Sequence, residues 1–226
     1  MKRSSIQKLS NFIMPILADM EFKGLENLPK EGGVIITTNH LSRMDIPFLF
    51  ITPGREDITA LVTDKYKSYA FFRWFTDSAE GIWIDRTKAD FTALKQSLAT
   101  LRQGKALGIS PEGTRSHSGE LLEGKAGTAF IAVKAGVPIV PVGLSGMEDA
   151  FERIKHFKKA KIKMHYGPAY TLPDIGRENR EEALDKAVTE IMCRIAVLLP
   201  ERYHGFYRGH PRIAELREEL NIEDVE

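Results

Sequence analysis

The chain has 226 residues, 42% hydrophobic and 28% charged, and its 32 basic and 31 acidic residues leave a formal net charge of +1. That length suits one sizeable domain with a buried core, while the charge balance gives no global signal for nucleic acid. A single cysteine, Cys193, excludes an internal disulfide and a Cys-rich metal site and fits a reducing compartment. No run of about 18 apolar residues is present to span a bilayer, and no secretory-signal pattern opens the chain. The expectation is therefore a soluble or peripheral protein.

Residues 1–20 begin with Lys2, Arg3 and Lys8. They carry Ile6, Leu9, Phe12, Ile13, Ile16, Leu17 and Met20 at spacings that make one apolar helical face. Pro15 should kink this helix or end it early. Two readings stand open: a helix packed on the domain, or an amphipathic anchor lying in a membrane interface. A turn-rich stretch, 24–33, leads into a strand at 34–38, and the polar segment Asn39-His40-Leu41-Ser42-Arg43-Met44-Asp45 follows with almost no spacer. A short helix with Pro47 in its first turn and a strand at 58–63 come next. Residues 65–75 interleave Tyr66, Tyr69, Phe71, Phe72, Trp74 and Phe75 with Lys65, Lys67 and Arg73. This mixture fits either core packing or a surface against lipid headgroups.

A strand over 81–86 ends on Asp85-Arg86, a helix over 89–101 closes at Gly104, and a strand at 106–109 runs into the polar loop 110–116. A helix opening at Gly124-Lys125-Ala126-Gly127 ends at Gly136, before a strand at 137–142. This alternation predicts an α/β fold. The expected architecture is a single domain with a largely parallel mixed sheet flanked by helices, preceded by the N-terminal amphipathic helix. Residues 155–163 hold five lysines beside His156 and His165, most simply a solvated face, with a patch for lipid headgroups as the alternative. A late strand is expected at 161–166 and a helix at 181–199, stopped by Pro200. The division expected is an N-terminal segment 1–22, a domain 23–200 and a tail 201–226.

Histidine has an unperturbed pKa near neutrality, so a neutral His40 can take a proton from a substrate hydroxyl. Asp45 would fix its tautomer and stabilise the imidazolium. Five residues apart, the two share a helix face only if His40 lies at or before the helix start. The plainer reading is that Asp45 is an acid favoured at a helix N-terminus. Arg86 and Arg115 carry forked donors that match phosphate oxygens, although each alone also suits a surface salt bridge. Gly113 permits close backbone approach, and the helix start at Lys125 offers further N–H groups to an anion. Glu112 could be the counter-ion of these cations or hydrogen-bond an acceptor hydroxyl. His40, Arg86 and Glu112 all follow strands, so one mouth outside the carboxyl ends of a parallel sheet could collect them. The six histidines are scattered and no H-E-x-x-H spacing is present, so no metal is expected.

Four blocks, in order and spacing, resemble the glycerolipid acyltransferase family: Asn39-His40-x4-Asp45, Ile82-Trp83-Ile84-Asp85-Arg86, Pro111-Glu112-Gly113-Thr114-Arg115-Ser116 and Val137-Pro138-Ile139-Val140-Pro141-Val142. The resemblance implies an acyl thioester donor, acyl-CoA or acyl carrier protein, with no further cofactor, and a lysophosphatidate-like acceptor. It implies that His40 is the general base with Asp45 its partner, and that Glu112 lies in the acceptor-phosphate region with Arg86, Gly113 and Arg115; Glu112 is counted with His40 and Asp45 as a catalytic candidate. Arg86, Gly113, Thr114, Arg115 and Lys125 would meet the acceptor phosphate, and Val137, Pro138 and Pro141 would shape the acyl side. It further implies a peripheral protein on the cytoplasmic face of a membrane, touching it through the N-terminal helix and the aromatic-basic segment. Leu41, Trp83 and Ser110 depart from the usual family residues and bear on acceptor and chain-length specificity. An acyltransferase for another lysolipid, hydroxyl or amine is the near alternative, and a lipid-binding protein without turnover is the distant one.

Overall fold

The computed structural model describes residues 3–176, 178–223 and 225, so Met1 and Lys2 of the N-terminal segment lie outside it. Among the described residues, seven strands form one sheet: β1 Ala18–Lys23, β2 Val34–Thr38, β3 Thr59–Thr63, β4 Ile82–Ile84, β5 Ala106–Ile109, β6 Ile139–Ser145 and β7 Ala160–Tyr166. Their order is β1-β7-β6-β2-β5-β3-β4. Every neighbouring pair is parallel except β6 with β7. The α/β domain with a largely parallel mixed sheet is thus the observed fold.

The central strands are uninterrupted apolar or Thr-containing runs, and every residue of β2, β5 and β6 is buried, as expected where helices cover both faces of a parallel sheet. At the other end β7 alternates, burying Ala160, Ile162, Met164 and Tyr166 while Lys161 and Lys163 face water. One face of the sheet is therefore open there. The helix α7, Arg180–Ala196, closes the core with Val188, Ile191, Met192, Cys193 and Ile195. The cysteine is a packing residue.

Two expectations about the ends of the chain change. The N-terminal helix, α1 Arg3–Leu17, stops two residues after Pro15 instead of running to Met20. The next six residues are β1, paired in parallel with β7 from Ala18↔Ala160 to Lys23↔His165. Residues 1–22 are therefore not a segment apart from the sheet. Backbone pairing with β7 outcompetes a helical periodicity that Pro15 has already weakened. The tail forms two 3₁₀ turns and α8, Pro211–Glu219, and buries Tyr203, Tyr207, Ile213 and Leu216 against the domain.

α1 packs on the domain through part of its apolar face. Ile6, Gln7 and Met14 are buried, with the Gln7 amide donating to Phe50 O at 2.9 Å, while Leu9, Phe12, Ile13 and Ile16 are exposed. A long apolar stripe is shared between the core and the outside. No helix among the described residues is long and apolar enough to cross a membrane.

Candidate active site

Because β2, β5, β3, β4 and β6 run the same way, the segments that follow them emerge along one edge. Asn39 marks the exit from β2. Its buried side chain donates to Leu144 O at 2.9 Å and accepts from Leu144 N at 2.8 Å. The amide thus satisfies both main-chain groups of Leu144, beyond Thr38 and Val142 where the β2–β6 pairing ends. The main chain is released from the sheet one residue before His40.

His40 then lies before the helix α2, Asp45–Phe50, whose first residue is the carboxylate partner. His40 Nδ1 is 2.7 Å from Asp45 Oδ2. The same carboxylate accepts from the N–H of Leu41 at 2.8 Å and of Ser42 at 3.0 Å. An ionised carboxylate only accepts, so Nδ1 carries the proton and Nε2 presents a lone pair. Asp45 is 5% exposed at its side chain and His40 14%, which leaves the ring a small opening to the cleft. Asp45 is thus both the first residue of α2 and the hydrogen-bond partner of the His40 ring.

Glu112 occupies a different place from the one expected. It is 1% exposed and does not line the cleft. Its Oε1 accepts from the His40 N–H at 2.7 Å and its Oε2 from the Leu122 N–H at 2.9 Å. Ser116 N–H donates to His40 O at 2.8 Å. Both backbone groups of His40 are therefore held by the 110–122 loop, and Glu112 is a positioning residue instead of a counter-ion or substrate ligand. Burial, with Asp45 nearby, pushes its carboxyl up to about 7 against the two N–H donors.

The Leu122 end of this clamp is itself gripped by the tail. Leu121 N–H donates to Tyr203 O at 2.7 Å, Phe206 N–H donates to Leu121 O at 3.0 Å, and Gly124 N–H donates to the Tyr207 hydroxyl at 2.9 Å. The periodicity of residues 201–210 does not announce this. The aromatic clustering there was the available signal.

The ring of His40 opens onto a cleft of about 290 Å³. Its walls include Leu49, Val62, Phe72, Phe75, Ile109 and Ile131, and its polar rim carries Arg43, Arg86, Lys88, Gly113 and Lys125. Gly108 keeps the floor open, since a Cβ there would lie 2.6 Å from Leu49 Cδ2. Arg86 donates through Nη1 to Gly113 O. Gly113 adopts φ 66, and a Cβ on it would meet Lys125 Cδ at 3.1 Å, so the glycine both makes the turn and lets the lysine stem cross it. Sequence reasoning found Arg86, Gly113 and Lys125 but missed Arg43 and Lys88.

Thr114 and Arg115 sit on the same loop outside the cleft lining. The block expected on the acyl side is also elsewhere. Pro141 is in the buried strand β6, paired with Thr37, while Pro138 O accepts from Ile35 N–H and Val137 lies beside Gly33. Pro141 therefore lies inside the sheet, Val137 and Pro138 lead into β6 at the end where β2 begins, and residues of α2, α3 (Ala70–Ser78), β3 and β5 build the apolar wall. Among the described residues no group of three or more His, Cys, Asp or Glu side chains is placed to hold a metal ion.

A family model described as Acyltransferase matches residues 19–145, which hold His40, Asp45, Arg86, Glu112 and Lys125. The chain is 31% identical over 130 residues to a 1-acyl-sn-glycerol-3-phosphate acyltransferase of Borreliella burgdorferi, covering 57% of this chain and 52% of that protein. It is 25% identical over 180 residues to a protein of the same name from Bacillus subtilis, covering 80% and 87%. The chain thus spans about half the length of the first of these relatives and most of the second. A crystal structure of the 1-acyl-sn-glycerophosphate acyltransferase from Thermotoga maritima superposes with a TM-score of 0.63 at 26% identity, covering 84% of this chain and 76% of that one. The family match extends over more than half of the chain and takes in the clamped histidine and its carboxylate. The chain belongs to the acyltransferase family.

Proposed function

We propose that this protein transfers a fatty acyl group from an acyl thioester, acyl-CoA or acyl carrier protein, to the free hydroxyl of a 1-acylglycerol 3-phosphate, giving phosphatidate. The carrying observation is the His40–Asp45 pair at 2.7 Å, opening onto an apolar cleft with a cationic rim. His40 Nε2 takes the proton of the acceptor hydroxyl, and the oxygen attacks the thioester carbonyl. The tetrahedral intermediate collapses with cleavage of the C–S bond, and the imidazolium returns its proton to the departing thiolate. The apolar cleft receives an acyl chain, while Arg86, Lys125 and Arg43 face the acceptor phosphate.

A lipid substrate calls for access from a membrane. The packed pair α1 and α3 exposes Phe12 and Ile16 on one helix and Phe71 and Trp74 on the other, and this is the face we assign to the cytoplasmic leaflet. The aromatic segment is thus divided, because Phe72 and Phe75 line the cleft. The test is free-thiol release from an acyl thioester in mixed micelles with lysophosphatidate, using wild type and His40→Ala. Release should need both the acceptor and His40. Turnover retained in a folded His40→Ala protein would remove the base assignment, and no release with lysophosphatidate would remove the acceptor.

A further inference from the structure

The helix α6, Ala150–Lys155, ends in a paired closure. Phe157 N–H donates to Ile154 O at 3.0 Å and Lys158 N–H donates to Arg153 O at 2.9 Å. That closure needs a left-handed residue at the position of Phe157, where glycine is the usual occupant because it carries no Cβ. The chain follows this rule at the end of α5, Gly127–Ala135, where Gly136 has φ 62. At the end of α6 the residue is Phe157, with φ 56 and its surface fully exposed at 101%. The ring gains nothing by burial within the fold, and the backbone would be more comfortable with glycine. A hydrophobic side chain is held in solvent at a conformational cost.

Its surroundings are basic. Residues 149–163 hold six Lys or Arg against two acids, in a chain whose formal net charge is +1. The two acids, Asp149 and Glu152, each pair with a base of the same helix, Arg153 and Lys155, at 3.8 Å. Lys155, His156, Lys158 and Lys159 are exposed around Phe157. The tip also has a defined position. α6 follows β6, whose carboxyl end lies on the same edge as that of β2, before His40. Lys159 Nζ reaches Asp19 at 2.9 Å, just beyond the end of α1.

We propose that this tip is a second membrane contact, selective for anionic lipid, with Phe157 seated among the headgroups and Lys155 and Lys158 drawn to their charge. It rests on the reading above that the enzyme works at a membrane surface, and it adds a charge-selective contact to the apolar α1–α3 face. Phe157 stands clear of the fold with Lys155, Lys158 and Lys159 exposed about it, and Phe151 of the same helix is exposed as well, so exposed rings and cations are presented together, the pairing that an anionic headgroup layer takes up.

The test is co-sedimentation of the full chain with phosphatidylcholine vesicles, with and without phosphatidylglycerol, in the absence of substrate. Phe157→Gly should keep or raise the melting temperature, because glycine suits the left-handed position, yet lower partition onto the phosphatidylglycerol vesicles about tenfold. Lys155→Gln with Lys158→Gln should lower that partition about tenfold or more at low salt and leave binding to pure phosphatidylcholine unchanged. Unchanged partition of Phe157→Gly overturns the proposal. So does a loss confined to binding an acidic acyl carrier protein. A protein that partitions as expected but transfers no acyl group sinks the proposed function and leaves this contact standing. One that is active in micelles, with partition indifferent to Phe157, sinks the contact alone.

Discussion

The buried carboxylate of Glu112 holds the main-chain N–H of His40 at 2.7 Å, across 72 residues of sequence. His40 is thus fixed at two levels, its ring by Asp45 and its backbone by Glu112. Ring orientation alone would leave the imidazole free to drift with its loop.

Glu112→Gln tests the second level. Glutamine has one accepting oxygen for two N–H donors, so one of His40 N–H and Leu122 N–H would face an amide NH₂. kcat should fall about tenfold or more with little change in either KM, because geometry at the base is lost while the binding surfaces stay. The stability profile should change as well. The folded carboxyl titrates at about 7, against 4.5 for the ordinary group. The folded state therefore binds the proton more tightly between these values, and stability falls as pH rises through that window. Wild type should lose stability relative to Glu112→Gln between about pH 4.5 and 7 and run parallel above it. Parallel denaturant midpoints across the whole range would count against the shift.

Tyr207→Phe reaches the same clamp from the tail. Deleting the hydroxyl leaves the half-buried Gly124 N–H without its acceptor, a loss of about 0.5–1.5 kcal/mol. The Leu121–Gly124 strand of loop should loosen, and with it the Leu122 N–H that braces Glu112. kcat should drop severalfold while both KM values hold. A stability loss with unchanged kcat would confine Tyr207 to packing.

Arg86→Ala concerns the acceptor. Arg86 stands on the cleft rim with Arg43 and Lys125, so removing its fork should raise KM for the acceptor about tenfold and leave the donor KM unaltered. Arg86→Lys should recover part of the loss, since charge returns without the paired donors. Equal effects on donor and acceptor would place Arg86 outside phosphate binding.

What the sequence revealed and what it hid divide along contact distance. His40 and Asp45 are five residues apart at a strand exit, so their pairing follows from local geometry. The strands β2, β5 and β6 are legible because burial on both faces makes them continuous apolar runs. Glu112 was found as a residue and misplaced in its role, since its partners are set by how two loops meet. The Val137–Val142 block was misplaced for a related reason: from Ile139 on it is a strand in the middle of the sheet, buried at every residue, and it exposes nothing to the cleft. β1 was hidden because Met20 continues the helical spacing of α1, and only its partner β7 makes Ala18–Lys23 a strand.

That pairing has a temporal side. Asp19 meets Lys159 across 140 residues, and at about 5–20 residues per second the ribosome needs on the order of ten seconds to make the intervening chain. Throughout that interval β1 has no strand to join, and the apolar stripe of α1 has already emerged. Whatever the stripe can bind in the meantime, a bilayer surface or a chaperone, has the first opportunity. The last strand of the sheet therefore decides when Ala18–Lys23 stops being available.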